Sequence, residues 1–502
     1  MPRLQGKPEI RPWLEATVSA WVYPFKSGSS VMHTKRVARR RAEFPEQPRQ
    51  PGSDARPVSA RSADRAVVVR ALAGSERIAE SASQNALSWP AVLFLVSLII
   101  PWIIELGSLR LSVSRLILIA AIIPCLVMWM NGKAGRIRAP DILVILFCLW
   151  CSLSLAAVHD LATSVQSGGM MAIETMGAYF LARVCVRNER QFYGMVKAIF
   201  LLILLLLPFS IYESVTGSNI ALNSFRAVLP TQIDYAMAPR WGLRRVQSVF
   251  DHPILYGVFC TFVFALVHKV LGRNLSLIRR WGRSALVFVA TLLSMSSGPL
   301  SALVMQALLM SWGWILRDFR YRWHVLAGGF AALYLGISLL SNQSFFEFYV
   351  HYFAFSQDTG WDRIRIWHYG WLSIFNHPIF GIGFHEYQRP EWMEPSIDMF
   401  WLINFVRFGY PGGILMFLAF AWVFFSTALK EGLTAQQNDY RTAYLISMIG
   451  IFTVGWTVHF WNAPYLLIMF YLGSASWMQD IRGGEGQRIQ AGSKRTGRMR
   501  TP

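Results

Sequence analysis

Charge is scarce in this chain. Asp, Glu, Lys and Arg make up 15% of its 502 residues, against the roughly one quarter usual in soluble domains. Acidic residues are the scarcer sign, 28 against 48 basic ones, so the formal net charge is +20. The 5 cysteines (Cys125, Cys148, Cys151, Cys185, Cys260) all lie in or beside apolar stretches, so no disulfide is expected to hold an external loop. Cys148 and Cys151 read better as two small buried residues of an apolar helix than as a redox pair. Residues 1–88 contain no long apolar run, which leaves no secretory signal core there. No group of His, Cys and carboxylates has metal-ligand spacing. Ser296 and Ser297 lack the Gly-x-Ser-x-Gly setting of a nucleophile and read as small residues at a helix break. Collagen, a wholly disordered chain and a disulfide scaffold are excluded.

What is present is apolar sequence: 54% hydrophobic residues and a mean hydropathy of +0.36. Crossing a bilayer core takes about 20 residues of helix. Stretches near that length recur at 89–106, 111–130, 140–157, 168–184, 192–212, 253–267, 285–296, 300–316, 323–340, 399–429, 443–460 and 463–477. The fold class expected is an all-α polytopic membrane protein with about twelve transmembrane helices. Residues 285–316 fit two short spans or a helix that re-enters.

Basic residues orient such a chain, because short loops rich in Lys and Arg stay in the cytoplasm. Lys133, Arg136, Arg138, Arg183, Arg187, Arg190, Lys269, Arg273, Arg279, Arg280, Arg283, Arg317, Arg320, Arg322, Lys430 and Arg441 all fall in loops of one parity. Both termini are therefore expected inside, with the membrane domain at 89–478 between basic tails at 1–88 and 479–502. The N-terminal tail reads as disordered, and its run Arg39-Arg40-Arg41 suits lipid headgroups or solvent; no nucleic acid is expected.

Two external connections are long, 213–252 and 341–398, and long ordered loops tend to carry function. The first ends with Arg240, Arg244 and Arg245, three cations on the side where the positive-inside rule disfavours them. Guanidinium groups gathered there suit an anionic ligand, or alternatively lipid phosphates. In the second, Ile364, Trp367, Trp371 and Ile374 recur at helical spacing, so an interfacial helix carrying Arg363 and Arg365 is expected. His252-Pro253-Ile254 and His377-Pro378-Ile379 both read as helix-opening turns, with His252 and His377 as possible support. Arg115, Glu174 and Arg407 are charges inside spans and thus functional candidates; Arg407 either shares a cavity with Asp398, or snorkels or pairs with Glu174. Trp361, Trp367, Trp371, Trp392 and Trp401 suit either sugar stacking or an aromatic belt.

Four stretches resemble the O-antigen ligase and polymerase family of polytopic membrane proteins, the Wzy-C type, which includes exopolysaccharide polymerases. They are Arg245-Val-Gln-Ser-Val-Phe-Asp-His-Pro253, Ser294-Met-Ser-Ser-Gly-Pro-Leu-Ser301, Arg363-Ile-Arg-Ile-Trp367 followed by His377-Pro-Ile-Phe-Gly-Ile-Gly383, and the segment ending Gly409-Tyr-Pro-Gly412. The resemblance implies a GT-C-like architecture in the bacterial inner membrane and metal-independent, inverting glycan transfer without a cofactor. The donor would be an undecaprenyl-diphosphate-linked glycan and the acceptor a hydroxyl of a glycan or lipid A-core. Membrane lipids, chain-length regulators and export proteins are the implied surroundings. Arg245 and Arg363 would hold the diphosphate, with Arg240 and Arg244 as helpers. The slot where the family places a catalytic histidine holds Asp398, which reads either as the base or as a helix cap. Ligase and polymerase are not separated. The alternative class is a polysaccharide or lipid-linked sugar transporter or flippase, although no half-to-half repeat is visible.

Overall fold

The computed structural model describes residues 86–481 except 107–108, 236, 341–346, 348–349 and 352–356. Nearly all of both expected tails, and part of the second long connection, lie outside the described residues. The described chain is a bundle of helices running to and fro between two ends.

In order, the helices are α1 Trp89–Ser97, α2 Val113–Met130, α3 Ala139–Val158, α4 Gly169–Cys185, α5 Glu189–Thr216, α6 Ile220–Arg226, α7 Pro253–Leu271, α8 Leu277–Leu293, α9 Ser297–Ile315, α10 Arg322–Leu340, α11 Gln357–Asn376, α12 Phe400–Ala428, α13 Ala435–Val454 and α14 Asn462–Ser474, followed by a last turn α15 Ser476–Asp480. Among the described residues, seven helices (α2, α3, α5, α7, α9, α10 and α12) are long and apolar enough to cross a membrane. The protein is therefore a helical membrane protein. A helix stands at each remaining expected span, but those helices are shorter or more polar.

Local sequence explains the boundaries. Asn188 caps α5 by accepting from the Gln191 amide, Glu189 follows in the first turn, and Gly217 ends the helix at φ 77°. Thr434 and Gln437 form a reciprocal capping box on α13. Helix α7 begins with Pro253 at a position that needs no N–H, capped by His252. It is the central helix, with 89% of its apolar window buried, whereas α10 at 6% is peripheral.

The first expected span is corrected. Helix α1 stops at Ser97, and the chain then turns into an antiparallel hairpin of β1 Ile103–Leu106 and β2 Leu109–Ser112. Ile103 and Ile104 are β-branched and Glu105 is charged, which suits a strand better than a lipid-facing helix. The hairpin is tied to the first long connection: the Ile103 amide donates to Pro230 O at 2.8 Å, and Trp102 Nε1 to Phe225 O at 3.0 Å.

The basic loops gather at one end. Asp480 pairs with Arg138 at 2.5 Å and Arg187 at 3.4 Å, and Lys430 donates to Ile481 O at 2.6 Å. Beneath them Asp141 accepts from Arg183 Nη2, Trp129 Nε1, the Tyr179 hydroxyl and the Arg138 amide, all within 2.7 to 2.9 Å. This buried pair is tolerable because the carboxylate is ringed by donors.

The two long connections gather at the opposite end, and there α12 is broken. Pro411 has no N–H for the Arg407 carbonyl, and Gly409 sits at φ 68°. Residues 377–384 fill the gap with backbone. The Ile382 amide donates to Val406 O, Gly383 to Arg407 O and Tyr410 to Pro378 O, at 2.8 to 2.9 Å. Trp150 stacks on Phe380 at 5.6 Å and donates to Phe408 O at 2.8 Å. His377 thus follows the end of α11 and opens no helix, a second correction: only His252-Pro253 is a helix-opening turn.

A Cβ added to Gly409 would lie 2.0 Å from the Ile379 carbonyl oxygen, in a backbone conformation that disfavours side chains. Gly409→Ala is expected to lower the melting temperature of the detergent-solubilised protein by several degrees, corresponding to about 2 kcal/mol or more. Gly329→Ala on α10, which meets open space, is expected to leave the melting temperature unchanged. Equal melting curves for the two variants would refute the brace.

Candidate functional site

The first long connection is folded rather than slack. Glu213, at the end of α5, accepts from the Gln247 and Ser248 amides, both at 2.9 Å. Asn219 caps α6 and donates to Ser248 O at 2.7 Å, and Gln247 Nε2 donates to Ile233 O at 2.8 Å. These anchors fix the position of the arginines that follow.

Arg244 is spent on this scaffold. It pairs with Asp234, donates to Gly217 O, and lies 3.7 Å from Glu213. Arg240 and Arg245 instead reach the break between α8 and α9. Arg240 Nη1 donates to Met295 O at 2.7 Å, and Arg245 Nη2 to Ser296 Oγ at 3.0 Å. No carboxylate pairs with either among the described residues. Arg245 is buried, and its Nε has no hydrogen-bond partner. Burial and the neighbouring Arg240 charge push its pKa down to about 10. The break is itself tightly turned: Met295 sits at φ 47°, and the Val246 amide donates to Leu293 O at 3.0 Å. Ser296, expected only as a small residue, serves as the arginine's acceptor.

His252 lies beside this pair. Its Nδ1 accepts from the Ile254 amide at 3.1 Å, which requires a ring unprotonated at that nitrogen. Burial and Arg245 push its pKa down to about 4. Trp461 lies 6.4 Å from its ring.

In the second connection, α11 buries Ile366, Gly370, Ser373 and Ile374 against α12, while Trp367 and Trp371 stack on each other at 5.4 Å. The buried stripe is thus shifted from the one expected. Arg363 Nε donates to Thr457 O at 3.0 Å, and its Nη2 lies 3.2 Å from Asp398 Oδ2. Asp398 does not cap α12: Met399 holds that position, and no side chain caps it. Arg365 is exposed, pairs with Asp362 at 3.1 Å and lies over Trp392 at 5.5 Å. His377 is exposed at the far end of α11, about 20 Å from Arg363 at 1.5 Å per residue. Trp401 is a core residue bonded to Phe452 O at 3.0 Å, so it offers no sugar platform.

The two arginine groups meet through residues 455–461, most of which lie within the apolar stretch 443–460. A Cβ on Gly298 would meet Val458 at 2.9 Å and Thr457 at 3.0 Å, so the α8–α9 break abuts the segment that holds Arg363. His459 and Trp461 follow, with ring centroids 5.7 Å apart. Gly455 and His459 within an otherwise apolar run were the sequence signal for this turn. Of the charges inside spans, Arg115 pairs with Glu174 at 2.6 Å and donates to Asn462 at 3.3 Å, which leaves Arg407 without that partner.

No family model matches the chain, and no curated protein matches it.

Because His252 is held neutral in the folded state, the unfolded chain takes up a proton first as the pH falls below 6.5. The contribution is complete above that pH and is lost between 6.5 and about 4, at most about 3 kcal/mol for a shift of this size. His252→Asn keeps a capping acceptor but cannot titrate. Its melting temperature is expected to fall less than wild type between pH 7 and 4.5, and parallel curves would show that His252 contributes nothing.

Proposed function

We propose that this protein transfers a glycan from an undecaprenyl-diphosphate carrier to an acceptor hydroxyl at the loop-bearing, periplasmic face of the bacterial inner membrane. The observation that carries this reading is the fate of the loop-face arginines. Arg110, Arg244, Arg363, Arg365 and Arg389 each have a carboxylate within 4 Å. Arg226 is exposed and bonded to Thr231, Asn223 and Gln232. Arg240 and Arg245 alone in those connections converge without a counter-charge, on the break between α8 and α9. An anion carried by a lipid tail would enter from the membrane and meet them there.

Diphosphate is the leaving group that such a pair would serve. As the anomeric C–O bond breaks, its electron pair passes to the diphosphate oxygen, and guanidinium groups already in position stabilise that charge more in the transition state than in the substrate. The acceptor oxygen forms the new bond on the opposite face, giving inversion, and its proton must go to a base. Asp398 fits that role in a specific sense. Arg363 holds it in the resting protein, and a diphosphate that draws Arg363 toward itself would leave the carboxylate free to accept the proton. Arg363 then serves diphosphate and base in turn.

A second reading, movement of a lipid-linked sugar across the membrane, draws on the break in α12 beside Arg407, since discontinuous helices carry charged sites in transporters. Proteoliposomes holding carrier-linked glycan and an acceptor separate the two. Transfer predicts a longer or newly attached glycan; transport predicts an unchanged glycan on the other leaflet.

Arg245→Ala and Arg240→Ala are expected to lower transfer by about 10²-fold or more in protein that still inserts and purifies as a folded monodisperse species. Asp398→Asn is expected to abolish it. Full activity in Asp398→Asn removes it as the base, and wild-type rates in both arginine variants would sink the transferase reading.

A further inference from the structure

The corner between α7 and α8 carries Arg279, Arg280 and Arg283 within five residues. Two of them reach back to the last turn of α7: Arg280 Nε donates to His268 O at 3.0 Å and Arg283 Nη1 to Leu271 O at 3.1 Å. Gly272 leaves room for this, since a Cβ there would lie 2.6 Å from Arg280 Cγ. The Trp281 ring stands 4.6 Å from His268, whose Nδ1 is hydrogen-bonded to Ser284 Oγ at 3.0 Å. The first two turns of α8 are therefore level with the end of a membrane-spanning helix, where lipid headgroups begin. Among the described residues no carboxylate lies within 4 Å of these three arginines, and Asp439, which reaches the corner from α13, is held by Arg273 at 2.8 Å. Arg279 is exposed and makes no hydrogen bond among them. Arg279 and Arg283 stand one turn apart on the same face, a like-charge spacing that destabilises a helix and that an anion between them relieves. The rest of these turns is apolar and uncovered: Leu277, Ile278 and Trp281 are 68%, 86% and 52% exposed.

We propose that the start of α8 is a binding site for an anionic phospholipid, its phosphate on Arg279 and Arg283 with Arg280 beside them, and its acyl chains against Leu277, Ile278 and Trp281. Guanidinium groups bond phosphate oxygens two at a time, and each of these arginines keeps N–H donors beyond those spent on α7. Charge selects the headgroup. A zwitterionic lipid brings an ammonium that the arginines repel, whereas an anionic lipid brings a net negative charge to a place that has none. The apolar side chains select a lipid over a soluble anion, because free phosphate would satisfy the guanidiniums and leave all three uncovered. Tryptophan at that depth is the usual partner of the headgroup layer. The site is separate from Arg240 and Arg245, which meet α8 at its other end, about 25 Å away along a helix of 17 residues. It does not rest on the transferase reading.

The test is native mass spectrometry of the full chain, purified in detergent and titrated with phosphatidylglycerol or phosphatidylcholine. Wild type is expected to retain phosphatidylglycerol about tenfold or more tighter than phosphatidylcholine. Because Arg280 and Arg283 also cap α7, the informative variants are Arg279→Gln and Arg279→Glu, which leave those bonds intact. Arg279→Gln is expected to weaken the retained lipid about fivefold, and Arg279→Glu to expel it. Arg320→Gln, in the loop before α10, controls for general surface charge and is expected to keep the lipid. Equal affinity for the two lipids in wild type, or unchanged retention in both Arg279 variants, overturns the proposal. An equal loss in Arg320→Gln overturns it too, by showing attraction to the whole basic surface. So does displacement of the lipid by millimolar inorganic phosphate at constant ionic strength, because free phosphate would then be the occupant.

Discussion

Inside lipid no water takes up a stranded N–H or C=O, so every place where a helix stops must be closed by protein. That constraint shapes the whole loop-bearing end of this molecule. The α12 break at Gly409 is closed by the backbone of residues 378–383. The turn at 294–296 is closed by Val246 and by Arg240 and Arg245. The turn after α13 is closed by Phe400 and Arg363. Each long connection is thus recruited as a hydrogen-bonding partner for interrupted helices, and that recruitment brings side chains far apart in sequence to one place.

The same economy sorts the charges. At the basic end, carboxylates and carbonyls absorb most of the arginines: Asp141 takes Arg183, and Asp480 takes Arg138 and Arg187. At the other end most arginines are also neutralised, including Arg363, expected beside Arg245 as a diphosphate ligand, and Arg244, expected as a helper. Among the described residues at this end, Arg240, Arg245 and Arg407 have no carboxylate within 4 Å and stand next to interrupted helices. The electrostatic distinction, rather than the number of arginines, is what the proposal of an anionic ligand rests on.

Much of the fold was legible because a bilayer imposes a long and simple pattern. Apolar runs with polar breaks located a helix at every expected span, and the basic loops gathered at one end. The hairpin at 103–112 escaped because a run such as Ile103-Ile104 is apolar in either conformation. The stripe on α11 was displaced because tryptophans that stack on each other read the same as tryptophans that face the core. The turn at 455–461 was hidden because it is nearly as apolar as the span it ends.

Composition, periodicity and charge bias by themselves determined that this is a helical membrane protein and where its basic loops lie, since those properties depend on the solvent around each segment. They also picked out the arginine-bearing connections. Tertiary structure decided which arginines are occupied: Arg363 by Asp398, Arg244 by Asp234, and Arg115 by Glu174. It also decided that Ser296, Thr457 and His459 stand among them. An ion pair needs its partner within about 4 Å, and for these residues the partner is set by helix packing and interrupted backbone, which no local pattern records.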